Sequence, residues 1–275
     1  MPLLRLNDAD AASLRAALLL QRYSRGLNRV TDRWLGDEGT DNTDMQILLA
    51  VLAGDGAGPS DVVTAIGMPR STVARGLSRL LDRRFVERRT NPVDHRRASL
   101  HVTPQGRRGI ARFERALADF FREEEPLVKE VILLLGHDPE RTAPAAPGPT
   151  VLDVVSALSG WGAAYLRDLR PRMRAFGAVE RIEHHTVTML AQGWARPTQL
   201  ADELALSPAG TTSLLERLEA AGLVVRESGA LDSDRRAVLV HLTPRGRRAA
   251  RTLLGTFQEH QEALVEAFQQ TLAPS

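Results

Sequence analysis

Two stretches of the chain, about 140 residues apart, share one order of apolar and polar positions. In the first stretch, Ala98, Leu100 and Val102 alternate with polar residues, which is the pattern of a half-buried strand. A second short strand is predicted at residues 85–89, and turn-forming residues occupy positions 90–93 between the two strands. The pattern therefore predicts a β-hairpin.

Two short helices are predicted before this hairpin. The first runs from residue 60, with Ser60 as its cap, to about residue 66, and a break at residues 67–69 separates it from a second helix at residues 70–83. The apolar residues of the second helix fall on one face at helical spacing, so its other face is exposed. A helix, a turn, a helix and a hairpin in this order indicate a winged helix-turn-helix, whose exposed helix face enters the DNA major groove.

The second half of the chain repeats this series. Asp94 and Asp234 begin two matching segments, each with Arg two residues on, apolar residues at the sixth and eighth steps, Thr at the ninth and Gly at the twelfth. Two matches at one long offset predict a duplicated domain. We predict a first winged-helix domain at residues 1–136, a Pro-rich linker at 137–150 and a second winged-helix domain at 151–275.

Long helices are predicted around these units. One runs over residues 104–135 and is divided at Pro126, because proline removes a helical hydrogen bond. Another starts near Val151 and is interrupted at Gly160-Trp161-Gly162 and again at Pro171. The last helix is predicted to run unbroken over residues 244–272.

The repeated segment, Asp-x-Arg-x-x-x-x-x-[Leu/Val]-Thr-x-x-Gly after a helix-turn-helix, resembles the multiple-antibiotic-resistance regulator (MarR) family. Members of that family are usually single-domain homodimers. The resemblance therefore implies a mainly α fold with small β wings, in which two winged helix-turn-helix domains in one chain, joined by long helices, form a pseudo-two-fold dimer. It also implies a double-stranded DNA partner and a small lipophilic or aromatic effector, whose binding residues the sequence leaves unknown.

Candidate DNA contacts fall on the second helix and on the wing of each half. In the family, the Arg of the repeated segment enters the minor groove and the Asp supports it, which maps onto Arg96 with Asp94 and onto Arg236 with Asp234. The alternatives are a salt bridge inside the wing and, for the helix, a solvated face. The predicted DNA-binding residues are Ser71, Thr72, Arg75, Arg79, Arg88, Arg96, Arg97, Ser213, Arg217, Arg235 and Arg236.

The two halves differ in charge. Residues 70–108 hold eleven Arg against three acidic residues, a net charge of +8, whereas residues 208–248 hold seven Arg against five, a net charge of +2. Arg75 of the first half is replaced by Ser213, and the second half has Glu216 on the same face. Glutamate accepts a hydrogen bond from cytosine but repels phosphate. We therefore expect unequal half-sites, with most of the affinity coming from the first half.

Several classes of function are disfavoured. The sequence has no cysteine, glycine-rich phosphate loop, nucleophile elbow or metal-spaced His cluster, so we predict no enzyme, cofactor or metal site. His184 and His185 are adjacent and point to different helix faces. No run of eighteen apolar residues predicts a membrane span, and the acidic N-terminal stretch lacks a signal peptide, which favours the cytoplasm.

The sequence thus predicts a DNA-binding transcriptional regulator, a repressor relieved by an effector, that acts as an intrachain pseudo-dimer on an imperfect palindrome. A further homodimer stays open, as does activation in place of repression. The alternative is a winged-helix scaffold that pairs with proteins and has no DNA sequence preference. Basic, arginine-tipped wings argue against that alternative.

Overall fold

The structure is a computed structural model that describes residues 6–35, 42–90, 98–140, 149–228 and 238–272. In these residues the fold is mainly helical, with two antiparallel two-stranded sheets, which confirms the predicted fold class of helices with small β wings. The elements are α1 (Asp8–Leu35), α2 (Asn42–Ala53), α3 (Pro59–Ile66), α4 (Arg70–Asp82), β1 (Val86–Thr90), β2 (Ala98–Val102), α5 (Pro104–Glu123), α6 (Glu125–Leu134), α7 (Val151–Arg174), α8 (Arg181–Leu190), α9 (Pro197–Leu204), α10 (Pro208–Ala220), β3 (Val224–Ser228), β4 (Val238–Leu242), α11 (Pro244–Glu259) and α12 (Gln261–Thr271).

One order of elements occurs in both halves of the chain. Three helices, a hairpin and a long helix follow one another as α2, α3, α4, β1, β2 and α5, and again as α8, α9, α10, β3, β4 and α11. Strand β1 pairs with β2 from Val86↔Val102 to Thr90↔Ala98, and β3 pairs with β4 in the matching register. The arrangement of these two series as a pseudo-dimer stays a prediction.

The chain divides into two compact units. The smaller unit comprises residues 24–123, and the larger unit comprises residues 1–23 and 124–275. The division falls inside α1 and between α5 and α6. These units differ from the duplicated segments of the sequence, since part of α1 and all of α6 belong to the larger unit. The predicted domain bounds, which describe the duplication, stay a prediction.

The core of the smaller unit forms beneath α4. Val73, Leu77 and Leu80 are at most 4% exposed, as the helical spacing predicts. In the larger unit, the matching face of α10 buries Leu214, Leu215 and Leu218 in a core shared with α7, α8 and α11. Each second helix of a helix-turn-helix is thus fixed by an apolar face, and its other face is directed away from the core.

The glycine that ends each repeated segment is required by a close backbone approach. A Cβ atom on Gly106 would lie 2.2 Å from the carbonyl oxygen of Phe85, and one on Gly246 would lie 2.0 Å from that of Leu223. Thr103 accepts the N–H of Gly106 at 3.0 Å and caps α5. The segment therefore places the start of the long helix directly against the residue that precedes the wing.

The predictions for α3 and α7 need correction. Gly58, not Ser60, caps α3, and its N–H donates to the carboxylate of Asp61 at 2.8 Å. Helix α7 continues through residues 160–162 and through Pro171 to Arg174, without either predicted interruption. Its residues Leu169 and Met173 are buried, and their packing outweighs the cost of about 3 kcal/mol for proline within a helix.

The last predicted helix is divided at His260 into α11 and α12. The carbonyl of His260 accepts the indole N–H of Trp161 at 2.9 Å, and its imidazole bonds to Asp168 at 3.0 Å. The predicted break near Pro126 is confirmed, because α5 ends at Glu123 and α6 begins at Glu125. No helix in the described part of the chain is long and apolar enough to cross a membrane.

Candidate nucleic-acid interface

The exposed face of α4 carries three of the predicted DNA-binding residues. Ser71 and Arg75 are exposed and Thr72 is half-buried. Among the described residues we find no ion pair to Arg75, so its guanidinium is available to an external acceptor. Hydroxyl and guanidinium groups on one exposed helix face are suited to hydrogen bonding with base edges and phosphates.

The fourth predicted residue of this helix, Arg79, is bound within the protein. Its Nε donates to one carboxylate oxygen of Asp44 at 2.8 Å, and its Nη2 donates to the other at 2.5 Å. The Asp44 side chain is fully buried and that of Arg79 is 34% exposed. The structure thus shows an intramolecular role for Arg79, and its predicted DNA contact stays a prediction.

The exposed face of α10 carries different side chains from that of α4. Thr212, Ser213 and Glu216 are exposed. Arg217 donates from Nε to Glu183 at 3.0 Å and from Nη2 to Glu180 at 2.8 Å. The predicted contact Ser213 is therefore accessible, while the predicted contact Arg217 is engaged by two carboxylates.

The wings are described only near their bases. Arg88 lies on β1, opposite Leu100 of β2, and is exposed. The other predicted wing residues lie outside the described residues: Asp94, Arg96, Arg97, Asp234, Arg235 and Arg236. Their roles remain predictions from the sequence.

One wing residue that the sequence did not single out is Arg226. It lies on β3 opposite Val240, the position that Arg88 has on β1 opposite Leu100. Arg226 forms two hydrogen bonds with Glu219 of α10, at 3.0 and 2.5 Å. This pair lowers the pKa of Glu219 and raises that of Arg226, so both groups are charged at neutral pH. No local sequence pattern marks it, because the two residues belong to different elements.

The carboxylate of Glu183 is held at the beginning of α8. Burial by itself raises the pKa of Glu183, but the N–H groups of Glu180 and Val179 and the guanidinium of Arg217 together lower it below its ordinary value. The two N–H groups donate to one carboxylate oxygen at 3.0 and 2.7 Å. Glu183 is therefore an ionised anchor for α10.

The base of the first wing contains a serine, a histidine and an aspartate in series. His101 contacts Asp55 at 3.0 Å through Nδ1 and Ser99 at 3.1 Å through Nε2. The connectivity is that of a nucleophile, a base and an acid. However, Ser99 is only 3% exposed and its hydroxyl donates to the carbonyl of Arg89. The series therefore ties the wing to the loop before α3 and offers no accessible nucleophile.

The second wing keeps a histidine, His241, at the position of His101, where it lies 3.8 Å from the carboxylate of Glu227, but Leu239 replaces Ser99. Ala195, before α9, forms a single β-bridge with Val240 of β4. The neighbouring Trp194 is 52% exposed, and Val225 on β3 is 40% exposed. Their counterparts in the first half are Gly56 and Glu87.

Aromatic residues also cluster in the larger unit. The rings of Trp161 and Tyr165 are stacked at 5.4 Å between centroids, and Tyr165 meets Phe257 edge-on at 6.5 Å. Burial raises the pKa of Tyr165, which keeps its hydroxyl neutral. These rings pack on one another and form part of the helical core, so the effector-binding residues stay unassigned.

A winged helix-turn-helix with an exposed polar and basic helix face is the architecture of a class of DNA-binding proteins. In agreement with this class, residues 38–97, which span α2 to the first wing, match the model of the MarR family. A protein of Thauera aromatica, assigned as a transcriptional regulatory protein for the hcr operon, is 34% identical over 71 residues. That match covers 26% of this chain and 43% of the relative, so the chain spans less than half of the relative's length.

Two solved structures are also similar to the chain over part of its length. The PcaV transcriptional regulator of Streptomyces coelicolor, solved with its natural ligand, is 27% identical, with 39% of this chain and 77% of that chain covered and a TM-score of 0.33. RV1404 of Mycobacterium tuberculosis is 23% identical, with 45% and 84% covered and a TM-score of 0.38. The family match lies in the first winged helix, and it supports a MarR family winged-helix regulator.

Proposed function

We propose that the chain is a cytoplasmic, sequence-specific regulator of transcription that binds double-stranded DNA. One observation carries the proposal: Ser71, Thr72 and Arg75 share the outward face of α4, in the segment that matches the MarR family. Such a helix presents hydrogen-bonding groups to base edges, while neighbouring arginines neutralise phosphates. Arg88, exposed on the wing base, adds charge beside this face.

The proposed target is an imperfect palindrome read by both winged helices of one chain. Two helix-turn-helix units on one face of DNA contact half-sites about 10 base pairs apart. The half-sites are unequal, because Arg75 on α4 is replaced by Ser213 on α10, and α10 also exposes Glu216. The first winged helix then supplies most of the affinity, and the second supplies selectivity.

The proposed mode of action is repression that a small lipophilic or aromatic effector relieves. Bound protein would block a promoter, and the effector would favour a spacing of the two winged helices that does not fit the DNA. This part of the proposal rests on the family resemblance. It predicts that an effector lowers DNA affinity and that DNA lowers effector affinity by the same factor.

Selection from a random duplex pool tests the proposal. The wild-type chain is expected to enrich an inverted, imperfect repeat, and Arg75→Ala is expected to lose preference mainly at the stronger half-site. Arg170→Ala, a change at an exposed arginine on α7, is the matched control and is expected to enrich the same repeat as the wild type. A pool that stays unenriched would contradict sequence-specific binding.

A second candidate function is protein–protein recognition without DNA sequence preference. The exposed Trp194 and Val225 favour it, because they belong to the two chain segments that flank β4, and exposed apolar patches often mark interaction sites. The substitution Trp194→Gly, which introduces the residue type found at position 56 in the first half, separates the two functions. If the second wing acts on DNA alone, the variant should bind DNA almost as well as the wild type. If the chain is a scaffold, the variant should lose binding to its protein partner.

A further inference from the structure

The ion pair between Asp44 and Arg79 joins the first turn of α2 to the last turn of α4. Both carboxylate oxygens are used, one by Nε and one by Nη2. A planar guanidinium that binds a carboxylate through two parallel hydrogen bonds has a fixed orientation. Because Asp44 is fully buried, its charge needs this partner, and breaking such a pair is costly.

The packing around this pair is tight. A Cβ atom on Gly76, one turn before Arg79, would lie 2.3 Å from Ile47 Cδ1 and 2.7 Å from Asp44 Oδ1. The backbone of α4 therefore lies directly against α2 at the ion pair. Close packing fixes the distance between the helices, and the two-point ion pair fixes the rotation of α4 about its axis.

The second winged helix contains the same kind of ion pair, formed with different acidic residues. Arg217 has the place on α10 that Arg79 has on α4, and it donates to Glu183 and Glu180 at the beginning of α8. Glu183 is 5% exposed and also accepts two backbone N–H groups. Both arginines lie in the last turn of their helix, and both bind a buried carboxylate. The two winged helices therefore contain the same type of ion pair, formed by different acidic residues.

We infer that Arg79 and Arg217 are positioning residues, which orient α4 and α10 for DNA, and that neither is a principal DNA contact. The inference rests on the proposed function. The Nε–Nη2 edge that a guanidinium would offer to a phosphate or to guanine is occupied by carboxylate oxygens in both residues. The residues that face DNA are then Ser71, Thr72 and Arg75, and their alignment depends on Asp44.

The substitution Asp44→Asn tests this inference, because the competing accounts predict opposite changes in DNA affinity. It removes a negative charge near the DNA-binding face, so a purely electrostatic account expects equal or tighter binding. The positioning account expects binding to selected duplex to weaken roughly tenfold, because misaligned side chains lose contacts with base edges. Asp82→Asn, which removes the same charge from an exposed position on α4, is the matched control and is expected to keep wild-type affinity or exceed it.

A second variant, Arg79→Lys, keeps the positive charge but removes the guanidinium that binds Asp44 through two nitrogens. Arg79→Lys is expected to weaken binding about as much as Asp44→Asn, and the double variant is expected to be no weaker than either single variant, because the two residues act as one unit. The dependence of affinity on salt is expected to keep its wild-type slope in these variants. In contrast, loss of a phosphate contact lowers that slope by about one. Thermal unfolding shows which variants are folded at the temperature of the titration, and Arg79→Lys carries the test if Asp44→Asn unfolds.

Two results separate failure of this inference from failure of the proposed function. Wild-type affinity in folded Asp44→Asn and Arg79→Lys, together with a lower salt slope in Arg79→Ala, would make Arg79 a phosphate contact and overturn the inference alone. A wild-type chain that binds no duplex would overturn the proposed function and the inference with it.

Discussion

The guanidinium of Arg226 on the second wing is held by the carboxylate of Glu219 on α10, whereas Arg88, its counterpart on the first wing, is exposed. The position that Glu219 has on α10 is filled by Leu81 on α4. The acid that pairs with Arg226 therefore has no counterpart at Arg88, although Glu87 pairs with Arg89 in the first wing. This pair therefore lowers the positive charge that the second winged helix presents.

Glu219→Gln is expected to increase DNA affinity. The uncharged side chain no longer neutralises Arg226, so one more cation is available to phosphate, and the slope of affinity against salt should become steeper by about one. Fluorescence anisotropy titrations at several salt concentrations measure both quantities. Glu266→Gln, at an exposed position on α12, is the control for the change in net charge alone. An equal gain in both variants would show that Arg226 has no specific part.

Exchange of the two corresponding residues Arg75 and Ser213 is expected to shift affinity in opposite directions. Arg75→Ser should weaken binding to selected duplex by about 1–3 kcal/mol, the range for loss of a bidentate base contact. Ser213→Arg should strengthen it, because the exposed site on α10 gains the missing cation. Competition titrations with one duplex measure the two changes. A loss of affinity in both variants would argue that the two helices do not occupy comparable positions on DNA.

The wing-tip arginines are expected to contribute unequally. Arg96→Ala should weaken DNA binding far more than Arg236→Ala, because the first half carries most of the positive charge. This expectation comes from the sequence, since both residues lie outside the described part of the chain. Parallel titrations of the two variants measure the difference, and equal losses would contradict unequal half-sites.

Stability below neutral pH is expected to depend on His184. Its Nε2 contacts the carbonyl oxygen of Ala178 at 3.2 Å, and its buried Nδ1 has no hydrogen-bond partner within the described residues. Burial lowers the pKa of His184 below its ordinary value. The unfolded imidazole gains a proton near pH 6.5 while the folded one stays neutral, so this stabilisation is present above about pH 6.5 and is lost as the pH falls below it.

Denaturant unfolding between pH 7.5 and pH 5.5 measures this effect. The wild-type free energy of unfolding should fall more steeply on acidification than that of His184→Gln. Because glutamine does not titrate, His184→Gln isolates the contribution of this imidazole. Parallel curves for the wild type and His184→Gln would show that His184 does not couple protonation to folding.

The sequence predicted the elements that have a local pattern. The buried face of α4 follows from helical spacing, and β2 follows from alternation. The segment that ends at Gly106 is visible as a motif, although only the structure shows its reason, which is the approach of the Phe85 carbonyl. These features were predictable because each depends on residues close together in the chain.

Features that depend on distant residues were missed. Arg79 was predicted as a DNA contact from its helix face, but Asp44, which binds it, lies 35 residues away. The same holds for Arg217 and Glu183, which are 34 residues apart. Pro171 was predicted to interrupt a helix because its local cost is visible in the sequence, whereas the burial of its neighbours is not. The exposed outer faces of α4 and α10 were predictable, but their bound arginines were not.

The most direct test of sequence-specific regulation is a titration of the pure chain against two DNAs at two salt concentrations. One is a random-sequence duplex pool, and the other is the intergenic DNA upstream of its own coding sequence. We expect tighter binding to the upstream DNA by about a thousandfold or more, with a gap that persists at higher salt while both affinities fall. Binding that depends on salt but is equal for the two DNAs would contradict sequence-specific regulation and favour the scaffold.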